Sequence, residues 1–443
     1  MQQMNVLQDW LVRQGAEIGS MAIVPDGAGG RVARATADIP SGTVVLRVPR
    51  SAMITTEVAR KSPIGQRLMD ADMDTPGGHF VLAAYLIAEK RRASSPIAPY
   101  LDVLPRDFPT VPLFFPKDVL PVLKGTFAAT LIVKRRESLC RDLLALRRAI
   151  PAFRDVSVRE FFWARTAVIT RVFGLKLGTA SMEALVPLAD MLNHKRPPDI
   201  DWSYEDAEGA FILKAIRDIR AGEELTDSYG RKPNGRYFIH YGFALQSGAD
   251  DEAEIRLAIP PGSPRTPARA AALRRLGGPD AWYRISNRVR NDDTQRTFTF
   301  LRAAVASEGE SGRVIDLLAK SKPIPPLSPR SEALALAMLD AACARSLEGF
   351  DTPRESDDEA LLQADDLPLN VRNALLVRRG EKRLLNAYRR LCSEATGLLR
   401  LPRKRFFTEA LHYSGESLTA AYLLETALAL APREARPPTS LWR

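Results

Sequence analysis

Two short segments constrain this chain most, because each ends an apolar or extended pattern in polar residues. The first is PLADMLNH at residues 187–194, an apolar run that ends in Asn193 and His194. It predicts a short buried strand leading into a turn. The second is ELTDSYG at residues 224–230, which carries one tyrosine, Tyr229. An Asn-His pair alone is more often a polar turn, so the argument depends on finding both segments in one chain.

The residues between and after the two segments follow an extended pattern and then a helical one. FILKAI at residues 211–216 predicts a strand, and RDIRAG at residues 217–222 predicts a charged turn that ends in Gly222. The extended pattern resumes at ELT, which predicts a hairpin directly before the tyrosine. A short helix is expected to start at Asn234 and to end in HYGF at residues 240–243.

Together these segments resemble the two halves of a SET-domain active site. In SET methyltransferases the two segments pass through one another as a pseudoknot, with the Asn-His backbone holding S-adenosylmethionine and the tyrosine hydroxyl facing its methyl group. Residues 30–53 resemble the opening strands of this fold. Residues 99–115 and 161–175 resemble the helical insert of one subgroup, which contains the Rubisco large-subunit lysine methyltransferases and the actin-type histidine methyltransferases. The resemblance covers residues 20–250.

The predicted fold class is α+β. A β-rich SET fold with a pseudoknot is expected at residues 1–260, with a helical insert at about residues 60–175. The segment PPGSPRTP at residues 260–267 breaks all periodicity and marks the predicted domain boundary. Amphipathic helix-length stretches follow, so residues 261–443 predict an all-helical C-terminal domain. In the subgroup a domain at this position helps to hold protein substrates.

The resemblance also implies a set of site residues, with S-adenosylmethionine as cofactor and no metal. The implied catalytic residue is Tyr229. The positions that match the cofactor site are Gly29, Gly30, Arg31, Arg171, Asp190, Met191, Leu192, Asn193, His194, Tyr241, Gly242 and Phe243. The positions that match the substrate channel are Phe173, Trp202 and Tyr241. Each has an ordinary structural alternative, since a Gly-Gly pair often only makes a turn, an arginine late in a helix often caps it, and aromatic rings fill cores.

Phe173 predicts a lysine target. The actin-type histidine enzymes have asparagine at this position, which can hydrogen-bond an imidazole nitrogen, whereas a phenyl ring packs against a methylene stem and cannot orient imidazole. The predicted function is therefore methyl transfer to a lysine nitrogen of a protein substrate. The alternatives are a protein-histidine N-methyltransferase and a catalytically inactive SET-fold adaptor that binds a protein partner. The retained Tyr229 argues against the adaptor.

Two positions depart from the family pattern. Val32 stands where glycine is common, and Asp227 stands where an aromatic or apolar residue is usual. We expect these departures to affect cofactor affinity or substrate choice.

Composition limits the other function classes. The net charge is +10, but the arginines are scattered through predicted helices without interleaved aromatic rings, so nucleic-acid binding is not expected. Three cysteines lie far apart, at Cys140, Cys343 and Cys392, which suggests neither a disulfide framework nor a zinc cluster. No apolar run approaches the roughly 20 residues that a membrane span needs, so a soluble, cytoplasmic protein without membrane contact is expected. The oligomeric state is left open.

Overall fold

The described part of the chain forms two compact units. The computed structural model describes all residues except 1, 28–29, 74–77, 178–179, 260–269, 271–272, 279, 353 and 432–443. The first unit consists of Met1–Phe114 and Val133–Arg231, and the second of Phe115–Ile132 and Lys232–Arg443. The predicted boundary at residues 260–267 lies outside the described residues and stays a prediction.

The first unit is built from several small sheets. Its strands are β1 (Glu17–Ile18), β2 (Met21–Pro25), β3 (Arg31–Ala35), β4 (Val44–Pro49), β5 (Ile54–Thr55), β6 (Val172–Leu177), β7 (Ala180–Leu185), β8 (Asn193–His194), β9 (Ile200–Glu205), β10 (Ala210–Ala215) and β11 (Thr226–Asp227). They form a four-stranded sheet in the order β1-β4-β10-β9, a three-stranded sheet in the order β5-β7-β6, and the pairs β2-β3 and β8-β11. The pair β8-β11 is parallel and the others are antiparallel.

Helices separate β5 from β6, as the sequence predicts. They are α2 (Thr56–Lys61), α3 (Pro63–Asp70), α4 (His79–Arg91), α5 (Ala98–Leu101), α6 (Phe127–Ala149) and α7 (Val158–Ile169), and α1 (Gln2–Arg13) precedes all strands. The start of α7 follows from its sequence, because the Ser157 side chain accepts a hydrogen bond from the Glu160 amide at 3.1 Å. The Glu160 carboxylate does not complete a capping box. It pairs with Arg91 at 2.7 Å instead.

The segment 211–225 differs from the predicted hairpin. Strand β10 lies between β4 and β9, and the residues after the turn run along β3, where the Leu225 amide donates to the Ala33 carbonyl at 2.8 Å. Leu225 is fully buried there. The predicted hairpin is therefore wrong, because β3 and the core offer this segment backbone partners and apolar contacts that β10 has already given to β4 and β9.

The apolar run at residues 187–192 is also not a strand. It forms a single 3-10 turn at Ala189–Met191, preceded by Leu188 with a φ of 70°. Extended structure begins only at Asn193. Leu188, Ala189 and Leu192 are buried, so the run is apolar because it is enclosed by the core and not because it pairs in a sheet.

The second unit is mainly helical. Its helices, besides the first turns of α6, are α8 (Asn234–Tyr241), α9 (Asp292–Val305), α10 (Glu308–Ala319), α11 (Pro329–Glu348), α12 (Glu355–Leu361), α13 (Leu369–Leu399), α14 (Arg403–Leu411) and α15 (Ser417–Leu430). A two-stranded antiparallel sheet joins β12 (Glu252–Ala258) to β13 (Asp280–Ser286). Strand β13 adds an extended element to the region predicted as all-helical, because Tyr283 and Ile285 alternate into the core at the period of a strand.

Residues 115–132 pack within the second unit although they interrupt the first in sequence. Phe115 lies against Phe238 with ring centroids 5.7 Å apart, in an apolar cluster of Phe115, Leu123, Ala128, Ile132, Phe238, Ile239, Ala374 and Val377. Glu381 accepts a hydrogen bond from the Phe127 amide at 2.7 Å, at the start of α6. Burial raises the pKa of Glu381 to about 8. The segment is tied to the second unit by both apolar contacts and a helix cap.

No helix of the described residues has the length and apolarity of a membrane span. Within the same residues, no group of three or more His, Cys, Asp or Glu side chains is arranged to hold a metal ion. The three cysteines are free thiols.

Candidate active site

The two motif segments meet in the first unit as a short parallel pair. Asn193 of β8 is in register with Thr226 of β11, and His194 with Asp227. The Lys195 amide extends the pairing by donating to the Asp227 carbonyl at 3.0 Å. Two chain segments far apart in sequence are thereby fixed side by side, which is the arrangement that the motif comparison predicts.

Tyr229 is fixed at two points, by His194 of β8 and by Leu192, which directly precedes β8. Its hydroxyl donates to the Leu192 carbonyl at 2.7 Å, and its amide donates to His194 Nδ1 at 3.0 Å. The Tyr229 and His194 rings stack with centroids 5.3 Å apart. Because the hydroxyl hydrogen is directed to a carbonyl, the lone pairs of Oη remain as acceptors.

The Asn193 side chain stabilises the same junction from outside. Its Nδ2 donates to Glu224 Oε1 at 2.8 Å, and Glu224 forms an isolated bridge with Arg34. Met191 and Leu192 are buried. The side chains around the pair thus serve mainly to hold its backbone in place.

Asp190 lies at the centre of a buried polar cluster. Tyr100 Oη donates to Asp190 Oδ2 at 2.6 Å, and Arg171 donates to the Asp190 carbonyl at 2.8 Å. Burial raises the pKa of the Asp190 carboxyl, and the charge of Arg171 opposes this shift. Burial and the charge of Arg171 together lower the pKa of the Arg31 guanidinium. The structure therefore brings three of the predicted cofactor residues, Arg31, Arg171 and Asp190, into one cluster.

The glycine loop before β3 is closed by a local bond. The Gly30 amide donates to Asp26 Oδ1 at 2.8 Å, and a Cβ at Gly30 would collide with that carboxylate. Gly29 lies outside the described residues. Val32 is an ordinary buried strand residue of β3, paired with Val24 of β2.

Phe173 and Trp202 also lie together. Their ring centroids are 5.3 Å apart, and both rings contact Phe211, at 4.8 and 5.5 Å respectively. Phe211 is not among the residues that the motif predicts. It opens the apolar run of β10, directly opposite Tyr204 of β9. The three rings form an aromatic wall from β6, β9 and β10 that offers no hydrogen-bonding atom except the Trp202 indole nitrogen.

Tyr241, Gly242 and Phe243 belong to the second unit. Tyr241 ends α8, and Gly242 caps the helix with a φ of 80°. Phe243 stacks on Tyr237 with centroids 5.0 Å apart. The Gly242 carbonyl accepts a hydrogen bond from Asn373 at 2.9 Å. Within their own unit these residues form a compact aromatic turn.

Asp227 is the feature of the site that the motif did not explain. The residue is 2% exposed, and no donor in the described part of the chain bonds its Oδ1 atom. Burial raises the pKa of its carboxyl to about 7.

Comparison with known proteins places both halves of the chain. The model of the SET domain matches residues 30–230, and the model of the Rubisco LSMT substrate-binding domain matches residues 261–385. The two matched segments are adjacent and together account for most of the chain.

Similar curated proteins include actin-histidine N-methyltransferases. The protein of Homo sapiens is 26% identical over 397 residues, which are 86% of this chain and 66% of that protein. The protein of Danio rerio is 27% identical over 373 residues, which are 80% of this chain and 62% of that protein. The chain thus spans slightly less than two thirds of the length of these relatives.

Solved structures with a similar fold include the SET domain of LSMT bound to lysine and AdoHcy, at a TM-score of 0.75 and 20% identity, covering 94% of this chain and 97% of that chain. Rubisco LSMT bound to AdoMet gives a TM-score of 0.74 at 22% identity with the same coverage. The predicted fold class is confirmed. The chain therefore carries a SET domain at residues 30–230, followed by a Rubisco LSMT substrate-binding domain at residues 261–385.

Proposed function

We propose that this protein is an S-adenosylmethionine-dependent protein methyltransferase that modifies a lysine side chain of a protein substrate. The observation that carries the proposal is the placement of Tyr229, whose hydroxyl is fixed on the Leu192 carbonyl at the parallel β8–β11 pair. This arrangement fixes two oxygen atoms side by side, Tyr229 Oη and the Leu192 carbonyl oxygen. Such acceptors are what a methyl group on a cationic sulfur requires.

The residues present fit the cofactor. Arg171 Nε and Asp190 Oδ1 are buried polar atoms without a hydrogen-bond partner in the described chain, so the cluster has one donor and one acceptor available for the carboxylate and ammonium of an amino-acid group. Arg171, Asp190 and the backbone of Asn193 and His194 would hold the group.

When bound, S-adenosylmethionine supplies a methyl group attached to a positively charged sulfur. The work left to the protein is to align the incoming nitrogen and to keep water away. Tyr229 is fixed at two points, so its Oη needs little rearrangement during the reaction. No metal and no acid need touch the methyl group in this chemistry.

The aromatic wall favours lysine as the target. Phe173 and Trp202 are partly exposed and present an apolar surface that can pack against a methylene stem, and the buried Phe211 supports both rings from behind. An apolar surrounding also disfavours the ammonium form of the lysine, whose ordinary pKa is about 10.4, and so favours the neutral amine that attacks. Phe173 has no atom with which to orient an imidazole ring.

Histidine is the second candidate, and it is favoured by the curated relatives, which are actin-histidine N-methyltransferases. The experiment that distinguishes the two targets uses matched peptides taken from the actin and Rubisco sequences. The two members of each pair differ only in having lysine or histidine at the centre. We expect S-adenosylhomocysteine to form at least about tenfold faster with the lysine peptides. A lysine stem packed on the rings is expected to be stabilised at the site by on the order of 1.4 kcal/mol more than an imidazole that nothing orients. Faster reaction of the histidine peptides would contradict the lysine assignment.

The match to a substrate-binding domain at residues 261–385 supports a protein as the substrate. The adaptor alternative shares this feature but does not need a working cofactor site. Cofactor binding therefore separates the two functions.

The test is isothermal titration of the purified protein with S-adenosylmethionine. We expect micromolar binding, and we expect Asn193→Ala to weaken it about tenfold, because loss of the bond to Glu224 frees the backbone of β8. Asp201→Asn, an exposed substitution on β9, is the control and is expected to bind like the wild type. No binding by the wild-type protein would favour the adaptor.

A further inference from the structure

Asp227 is a buried acid at the end of β11, two residues before Tyr229. In β11 its neighbour Thr226 donates to Asp199 Oδ2 at 2.5 Å. Because side chains alternate along a strand, the Asp227 side chain lies on the opposite face from that bond. Tyr229 comes two residues later and returns to β8 through the Leu192 carbonyl. The carboxyl of Asp227 is therefore close in sequence and in strand position to the groups that hold the reaction centre.

The charged groups beside β11 are directed to a different acid. Lys195 Nζ lies 3.0 Å from Asp199 Oδ1, and Arg217 Nε lies 2.7 Å from the same atom. His194, the register partner of Asp227, uses its Nδ1 to accept from the Tyr229 amide. Burial raises the pKa of Asp227, and among the described residues no cation offsets this as Lys195 and Arg217 do for Asp199. The same residues supply no donor to Asp227 Oδ1.

A buried carboxyl oxygen without a donor is costly. Asparagine or an apolar residue would avoid the cost of a charge at this position. A donor that arrives with a bound molecule would satisfy the oxygen, and two residues before Tyr229 the molecule to expect is the substrate side chain. Buried acids with raised pKa values occur preferentially where a proton is exchanged.

We propose that Asp227 contacts the target nitrogen of the protein substrate and accepts its proton. This inference rests on the proposed function, since it assigns a role at the same site. It gives the reaction a proton acceptor that motif comparison did not include. The ligand chemistry is an N–H group on a side chain that is cationic before or after methylation, which lysine and histidine share.

One proton passes to Asp227 with either target. With lysine it is transferred before the methyl group, and with histidine after it. With lysine, the ammonium N–H bond breaks and an O–H bond forms on Asp227, which leaves a neutral amine. The N–C bond then forms as the C–S bond breaks, and Asp227 releases its proton to water. With histidine, the neutral ring is methylated first, and the resulting imidazolium gives its remaining N–H proton to Asp227. A carboxyl that titrates near neutral pH can both accept and release this proton.

The experiment measures binding of side-chain probes to the complex of the protein with S-adenosylhomocysteine. The probes are n-butylammonium for lysine and 4-methylimidazole for histidine, titrated at pH 7.5 into the wild type, Asp227→Asn and the exposed control Asp201→Asn. We expect at least one probe to bind the wild type and the control alike, and Asp227→Asn to weaken its binding about tenfold, the loss typical of one hydrogen bond to a charged group. The probe that binds more tightly identifies the kind of nitrogen that the site accepts.

Three results are distinguishable. Failure of the wild type to bind S-adenosylhomocysteine would contradict the proposed function itself. Binding of S-adenosylhomocysteine with no binding of either probe would overturn the role of Asp227 and leave the cofactor site standing. Equal probe binding by the wild type and Asp227→Asn would overturn it as well.

A measurement on the wild type alone covers the case in which Asp227→Asn does not fold. Titration of n-butylammonium in two buffers of different ionisation enthalpy counts the protons released on binding. We expect close to one proton per site at pH 6, where Asp227 is mostly protonated before the cation binds, and close to none at pH 8.5. The same count at both pH values would contradict the assignment.

Discussion

Replacing Tyr229 by phenylalanine is expected to lower the rate of methyl transfer about 100-fold, the usual effect of removing one fixed polar group from a reaction centre. The substitution keeps the ring that stacks on His194 and removes only the hydroxyl that bonds the Leu192 carbonyl. Since the backbone amide of Tyr229 still donates to His194, we expect affinity for S-adenosylmethionine to change less than about threefold. Single-turnover transfer of a labelled methyl group, together with isothermal titration, measures both quantities.

The matched control is Tyr85→Phe, which removes a hydroxyl from a buried tyrosine on α4. We expect it to leave the rate of transfer within about twofold of the wild type. A loss of affinity in Tyr229→Phe as large as its loss of rate would mean that the hydroxyl holds the site together and does not act on the reaction, which would contradict the role proposed for it.

The Asp227→Asn variant is expected to gain unfolding free energy relative to the wild type as pH rises. The folded protein holds the Asp227 proton up to a pKa of about 7, whereas the unfolded chain loses it near 3.9. A raised pKa in the folded state stabilises the protein at low pH, and this contribution is lost as pH increases from about 4 to about 7. Asparagine has no such loss. The difference in unfolding free energy between variant and wild type should therefore increase by about 3 kcal/mol, in favour of the variant, between pH 5 and pH 8.

Urea denaturation of both proteins at the two pH values measures this difference. The exposed substitution Asp201→Asn on β9 serves as the control for the exchange of a carboxylate for an amide. A constant difference between wild type and Asp227→Asn at pH 5 and pH 8 would show that Asp227 is ionised in the folded protein at both values. The proton-acceptor role would then lose its physical basis.

The sequence was sufficient to predict that the two motif segments meet, because the residues concerned lie in short, specific motifs. Asn193, His194 and Tyr229 could be placed at one point without coordinates, since the order of their two segments is that of the family. The turn before β4 was equally predictable. Its backbone has a φ of 87° at residue 42, a conformation that glycine adopts without strain, and the residue there is Gly42. Local chemistry was enough in both cases.

Contacts between distant segments were not predictable in the same way. The cluster of Tyr100, Arg171 and Asp190 joins a helical segment to the motif, and nothing in the periodicity of residues 99–115 indicates a partner for Tyr100. The alternation that places Tyr283 in β13 was hidden because it is confined to one seven-residue strand among helix-length amphipathic stretches. Such pairings depend on which backbone edges the rest of the fold leaves open.

The assignment of residues 115–132 to the second unit has a practical consequence for anyone who wishes to study the two halves separately. A chain ended at residue 260 would keep Phe115 and Phe127 but would lose Ala374, Val377 and the helix cap from Glu381. Its exposed apolar surface would favour aggregation. Conversely, residues 261–443 expressed alone would lack the segment that covers Ala374 and Val377. The linear order of the two matched domains therefore does not define two independently folding fragments, and their activities are best separated by point substitutions in the full-length chain.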